Sequence, residues 1–190
     1  MARDKPVRIA NPIYREVIPR DLTWTTQEYL PHDPAWYLDS EGGLNLSRLL
    51  SAFQEYFREH SEHWVERFQY REAGPQLLLQ AFLQRIVKSG VRVEREYGLG
   101  RMRTDLLIVW PAGAPPDRTR RMVIECKVLH GSLERTIRDG LEQTRAYMDR
   151  CGAAEGHLVV FDRTPGKEWR EKLFRRREAG GGAPVTVWGM

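Results

Sequence analysis

Along this chain the spacing of apolar residues changes at Gly90. From 45 to about 67 they recur every three to four residues, with Leu46, Leu49, Leu50, Phe53 and Phe57 on one stripe. A second stripe, Leu77, Leu78, Ala81, Phe82 and Ile86, runs between Gly74 and Gly90. Such spacing predicts two amphipathic helices. Asn45 is placed to cap the first, Pro75 suits the opening turn of the second, and Gly90 ends it. Beyond Gly90 the period falls to two. VRVEREY, RTDLLIVW and RMVIECKVL read as three strands, separated by a GLGR turn and a breaker-rich PAGAPPDR loop. A helix from Leu133 to about Arg150 follows, stopped at Gly152, and then a strand near 157–163. KEWREKLFRR reads as helical, the glycines at 180–182 as a loop, and VTVWG as a last short strand.

Residues 1–44 hold neither period for long. Pro12, Pro19, Pro31, Pro34 and the Gly42-Gly43 pair interrupt them, while Tyr14, Trp24, Tyr29, Trp36 and Tyr37 call for burial. The expectation is an extended N-terminal arm over 1–44, a helix over 45–71, and a main α/β domain over 72–190. Short loops join the first three strands, which makes them an antiparallel meander. A helix joins the third to the fourth, which requires a right-handed parallel crossover. The predicted core is therefore αβββαβ, a mixed four-stranded sheet with helices on both faces.

Composition adds bounds rather than identity. The 190 residues are 41% hydrophobic and 29% charged, ordinary for a globular protein and too apolar for disorder. No apolar run approaches the roughly 20 residues of a membrane span, and the N-terminus lacks the apolar core of a secretory signal. Two cysteines, Cys126 and Cys151, are too few for a disulfide framework or a cysteine zinc site, so a reducing cytoplasm is the expected setting. The net charge of +4 is compatible with a polyanionic partner without requiring one. Arginine groups at 118, 120 and 121 and at 175–177 read first as solvated surface.

The third strand carries the chemistry. Alternation gives Val123, Glu125 and Lys127 one face and Met122, Ile124, Cys126 and Val128 the other. Charges on so apolar a strand need partners. Asp105 opens the second strand on the face of Leu107 and Val109, and a loop of about 111–120 sets it opposite Glu125 or Lys127. Two carboxylates held this close repel, and a divalent cation relieves the repulsion; oxygen ligands favour Mg²⁺ or Mn²⁺. Lys127 is then placed to act on the attacking water and on the phosphate charge. As spacing alone, D…ExK is a weak signal, because a Glu-x-Lys pair on a strand is usually a surface salt bridge.

On an apolar hairpin followed by helix and strand, GRMRTDLLIVW…MVIECKV resembles the PD-(D/E)XK nuclease superfamily, whose core is restriction-endonuclease-like. In the next helix, GLEQTRAYM places Gln143 and Tyr147 as the QxxxY motif of the RecB-like branch. On a helical wheel both lie on one margin of that helix, beside Thr136 and Gly140. The resemblance covers about 72–176. It implies a metal-dependent deoxyribonuclease, with Asp105, Glu125 and the Cys126 carbonyl as metal ligands, Lys127 at the water and phosphate, and Gln143 and Tyr147 orienting substrate or lysine. Homodimerisation is a further implication, since many nucleases of this fold pair to cut both strands. Two positions depart from the pattern. Thr104 stands where the motif name has proline, and the helix after Pro75 lacks the acid that many relatives carry, leaving Gln76, Gln80 or Glu72 for that place.

RIANPIYREVIPRDLTW is similar to the segment after the ATPase domain in bacterial fusions of an AAA-like ATPase to a nuclease-like domain. This sequence contains no phosphate-binding GxxxxGK[ST] loop, so it is not expected to hydrolyse ATP itself; the resemblance implies the nuclease end of such a fusion or a free-standing relative, with an AAA-like ATPase as a partner. Two other readings stay open. One is a catalytically inactive nuclease-fold module that binds DNA or regulates such an ATPase. The other is a structural domain in which the charged trio is a buried ion network. Of the histidines, His60 and His63 read as a polar helix face and His130 as a residue just past the catalytic strand. Cys126, Trp110 and Trp188 read as core, and Glu94 and Glu96 as an edge or peripheral pair.

Overall fold

The computed structural model describes residues 36–40, 42–67, 73–86, 91–99, 102–111, 119–180 and 182–190. The expected arm lies outside these apart from its last residues, as do the side chains of His63, Glu72, Glu96 and Arg118. Residues 37–190 form one compact unit.

Helix α1 (Leu46–Arg67) begins where Asn45 caps it, its Oδ1 accepting the Arg48 amide at 3.0 Å. Helix α2 (Ala73–Ile86) follows, then β1 (Arg92–Leu99), β2 (Met102–Pro111) and β3 (Thr119–Val128). Helix α3 (Leu133–Cys151) is capped by Ser132 and closed by Gly152, whose left-handed φ of 64° suits a residue without a Cβ. Strand β4 (Glu155–Phe161) is next. A one-turn helix α4 (Trp169–Lys172), β5 (Phe174–Glu178) and β6 (Val185–Gly189) complete the chain.

The sheet order is β1-β2-β3-β4-β6-β5. The first three strands pair antiparallel, β4 pairs parallel with β3 and with β6, and β5 closes antiparallel on β6. The predicted αβββαβ order is present, but the sheet has six strands instead of four. KEWREKLFRR is also corrected: only one turn of it is helical, and Phe174–Glu178 is an edge strand. Its side chains alternate between half-buried and exposed, a period of two set by pairing with the largely buried β6.

Helix α3 covers one face, with Ile137, Leu141, Tyr147 and Met148 packed on Leu107, Val123, Leu158 and Val160. It lies very close to β4: a Cβ at Gly156 would overlap the Met148 sulfur, and one at Gly140 would meet the Leu158 methyls at 2.7 Å. On the other face Phe53 and Phe57 of α1 and Phe82 of α2 cluster with Phe161. Burying each such ring contributes roughly 1.5–3 kcal/mol. Gln54 of α1 ties down the late strands, donating to the carbonyls of Phe174 (3.0 Å) and Gly189 (2.7 Å).

Candidate active site

The site forms where the β2–β3 ladder ends. Pairing runs from Pro111↔Thr119 to Leu106↔Ile124, a register that sets Asp105 opposite Glu125 at the next position. Of the two pairings open in the sequence, Glu125 is the one realised. In place of a further ladder bond, Asp105 Oδ2 accepts the backbone N–H of Cys126 at 2.8 Å. An extended residue's N–H and C=O leave the strand on the same edge, so the Cys126 carbonyl also faces the β2 side. Gln76, in the first turns of α2, donates its Nε2 to Asp105 Oδ1 at 3.1 Å. Of the α2 glutamines it is the one bonded to Asp105; Gln80, one turn on, has a buried Oε1 with no hydrogen-bond partner among the described residues.

Glu125 is 3% exposed. Lys127 Nζ donates to its Oε1 at 2.8 Å, as alternation along β3 predicts for residues two apart. Its other oxygen, Oε2, is buried without a hydrogen-bond partner. Burial, and then the neighbouring Asp105 carboxylate, push the Glu125 carboxyl up to about 7 against the opposing effect of Lys127. An orphaned buried oxygen beside a second carboxylate is the environment a divalent cation satisfies. The donor set, two carboxylates and a facing carbonyl, fits a hard oxygen-seeking ion such as Mg²⁺ or Mn²⁺. Among the described residues no group of three or more His, Cys, Asp or Glu side chains converges anywhere.

The placement of Gln143 and Tyr147 follows from the seating of α3. Its Glu134, Arg138, Leu141 and Arg145 side lines a groove with Arg176 and Glu178 of β5. The opposite margin, which carries Thr136, Gly140, Gln143 and Tyr147, therefore turns toward β3 and β2. Tyr147 is buried, and its phenol is pushed up by burial and then by the Glu125 and Asp105 carboxylates. Gln143 is half-buried. Among the described residues no hydrogen bond links Gln143 or Tyr147 to Glu125 or Lys127.

The other residues singled out in the sequence fall as follows. Cys126 is half-buried as a residue, while its thiol sits deep enough that burial raises it well above its usual range. Trp188 is fully buried, its indole N–H donating to His157 Nδ1 at 3.0 Å, and Trp110 is half-buried. His60 stacks on Tyr56, and His130 is exposed just beyond β3. Glu94 faces Arg92 at 3.6 Å. Of the described arginines in the two groups, Arg120, Arg121, Arg175 and Arg177 are exposed, as expected of solvated surface, and Arg176 is half-buried. Arg120 faces Asp39 at 3.7 Å, Arg121 donates to the Cys151 carbonyl, Arg175 lies over the Trp188 ring, and Arg176 reaches Glu134.

The fold is restriction-endonuclease-like in class: an αβββαβ core whose antiparallel meander passes through a helix to a parallel strand. No protein-family model matches the chain, and no curated protein matches it. Among solved structures it is similar to the restriction endonuclease PspGI in complex with substrate DNA, at 16% identity and a TM-score of 0.39, over 84% of this chain and 74% of that one. It is also similar to the DNA modification-dependent restriction endonuclease AspBHI, at 14% identity and a TM-score of 0.34, over 85% of this chain and 36% of that one. Likeness at this level says nothing of which residues act; the site stands on the geometry above.

Proposed function

We propose that this chain is a Mg²⁺- or Mn²⁺-dependent nuclease that hydrolyses DNA phosphodiester bonds. The observation that carries the proposal is the buried, unpartnered Glu125 Oε2 beside Asp105, with Lys127 on the same face. Asp105, Glu125 and the Cys126 carbonyl would hold the cation. When bound, the cation lowers the pKa of a coordinated water and offsets charge on a phosphoryl oxygen. Lys127 orients the attacking water and counters the charge that develops on the phosphate. Gln143 and Tyr147, on one margin of α3, would orient substrate or the lysine. Catalysis is assigned to the 72–190 region, with the helix and arm before it as accessory segments. A homodimer, a cytoplasmic setting and an AAA-like ATPase partner for the N-terminal residues belong to the same reading.

A second reading, a nuclease-fold module that binds DNA without cutting it, draws on one observation: among the described residues only two acids meet at the site. Incubating supercoiled and linear DNA with wild type and Lys127→Ala in Mg²⁺, Mn²⁺ or EDTA separates the two. Metal-dependent cutting that the substitution reduces by 100-fold or more is the expected result. Folded wild type that binds DNA and leaves it intact with both metals would instead establish the binding module.

A further inference from the structure

Asp105 accepts the Cys126 amide at Oδ2 and the Gln76 side-chain amide at Oδ1. The two donors differ in what they can become. A backbone N–H on a paired strand is fixed and can only donate. A primary amide has a donor and an acceptor at its tip, and half a turn about its last side-chain bond exchanges them. Gln76 is half-buried on α2, so its amide is held near Asp105 by the packing of its helix. The two acids give the site few anionic oxygens for a hard cation, and a neutral amide oxygen is an accepted ligand for such ions.

We infer that Gln76 is a two-state partner of Asp105: its Nε2 holds the carboxylate when the site is empty, and its Oε1 turns in as a neutral oxygen ligand when a divalent cation is bound. This rests on the reading of Asp105 and Glu125 as a cation site. It gives Gln76 two services, positioning the first acid and completing the ligand set, without adding a third negative charge to a cluster already crowded with two.

The test is Mn²⁺ binding to the full chain without DNA, by calorimetry and by counting free Mn²⁺ with electron paramagnetic resonance, alongside melting temperatures in EDTA. Gln76→Met keeps the length of the side chain and removes both amide groups. It is expected to weaken Mn²⁺ binding about tenfold, in the range found when supporting partners of metal ligands are lost, while the metal-free protein stays folded. Gln76→Glu keeps an oxygen and loses the N–H. It is expected to bind Mn²⁺ more tightly than wild type and to melt lower in EDTA, where it faces Asp105 with like charge. Wild-type affinity in Gln76→Met would overturn the inference and leave the cation site standing. Binding by Gln76→Glu no tighter than by Gln76→Met would also overturn it, since the oxygen would then serve no purpose. Wild type that binds no Mn²⁺ would remove the cation site itself, and the inference with it.

Discussion

At Glu125 the chain buries a carboxylate beside another carboxylate and gives it one ammonium for a partner. Burial and then the Asp105 carboxylate push the folded carboxyl up to about 7 from an ordinary value of 4.5. Because the folded value is the higher one, the folded state holds the proton more tightly. The resulting penalty is absent below about 4.5 and fully present above 7, so metal-free stability falls as pH rises through that window. A shift of this size corresponds to something on the order of 3 kcal/mol. Glu125→Gln, which still offers Lys127 an acceptor, is expected to melt higher than wild type at pH 8 in EDTA and to lose that advantage by pH 5. Equal melting curves at pH 8 would show that the buried charge carries no cost. The contrasting reading, a structural ion network, has wild type as the more stable form and unfolding on removal of Glu125. Against it, the Lys127 side chain is 28% exposed and can turn to water when its partner is lost.

Among the elements, the ones with a strong local period were legible. The stripes of α1 and α2, the alternation of β1 to β3 and the Gly152 stop of α3 follow from residues a few positions apart. So did the parity that puts Asp105, Glu125 and Lys127 on one face. The strand at Phe174–Glu178 was not legible, because three consecutive arginines carry no apolar period. Its conformation comes from β6 alongside it and from Gln54, 120 residues away in sequence, whose amide bonds the carbonyls of Phe174 and Gly189. The contact of Gln76 with Asp105 likewise joins distant segments, and the sequence could offer it only as one of three glutamine or glutamate positions. If Gln54 anchors the late strands, Gln54→Ala should cost about 1–3 kcal/mol by denaturant titration, the range for leaving buried acceptors unmet. Hydrogen exchange should quicken at β5 and β6 and stay slow at β2 and β3. Uniform acceleration across the sheet would mean that Gln54 supports the whole core rather than its edge.

For the molecule as a whole, both edges of the sheet are charged strands. Self-pairing of two copies through β5 would set Arg175 against Arg177 and Arg176 against its own copy, an arrangement that opposes edge-to-edge association. Any homodimer is therefore expected to use another surface. Charge reversal at Arg175 and Arg177 should leave the sedimentation coefficient unchanged; a change in association state would implicate the edge after all. With a net charge of +4, DNA binding by the metal-free protein should weaken steeply between 50 and 200 mM salt.

Two of the hydrogen bonds to Asp105 come from distant parts of the chain, Gln76 lying 29 residues before it and Cys126 lying 21 after. Neither the first helix of the core nor the hairpin alone presents the complete arrangement. Under the proposed function, the cation site is complete only once α2, β2 and β3 have come together.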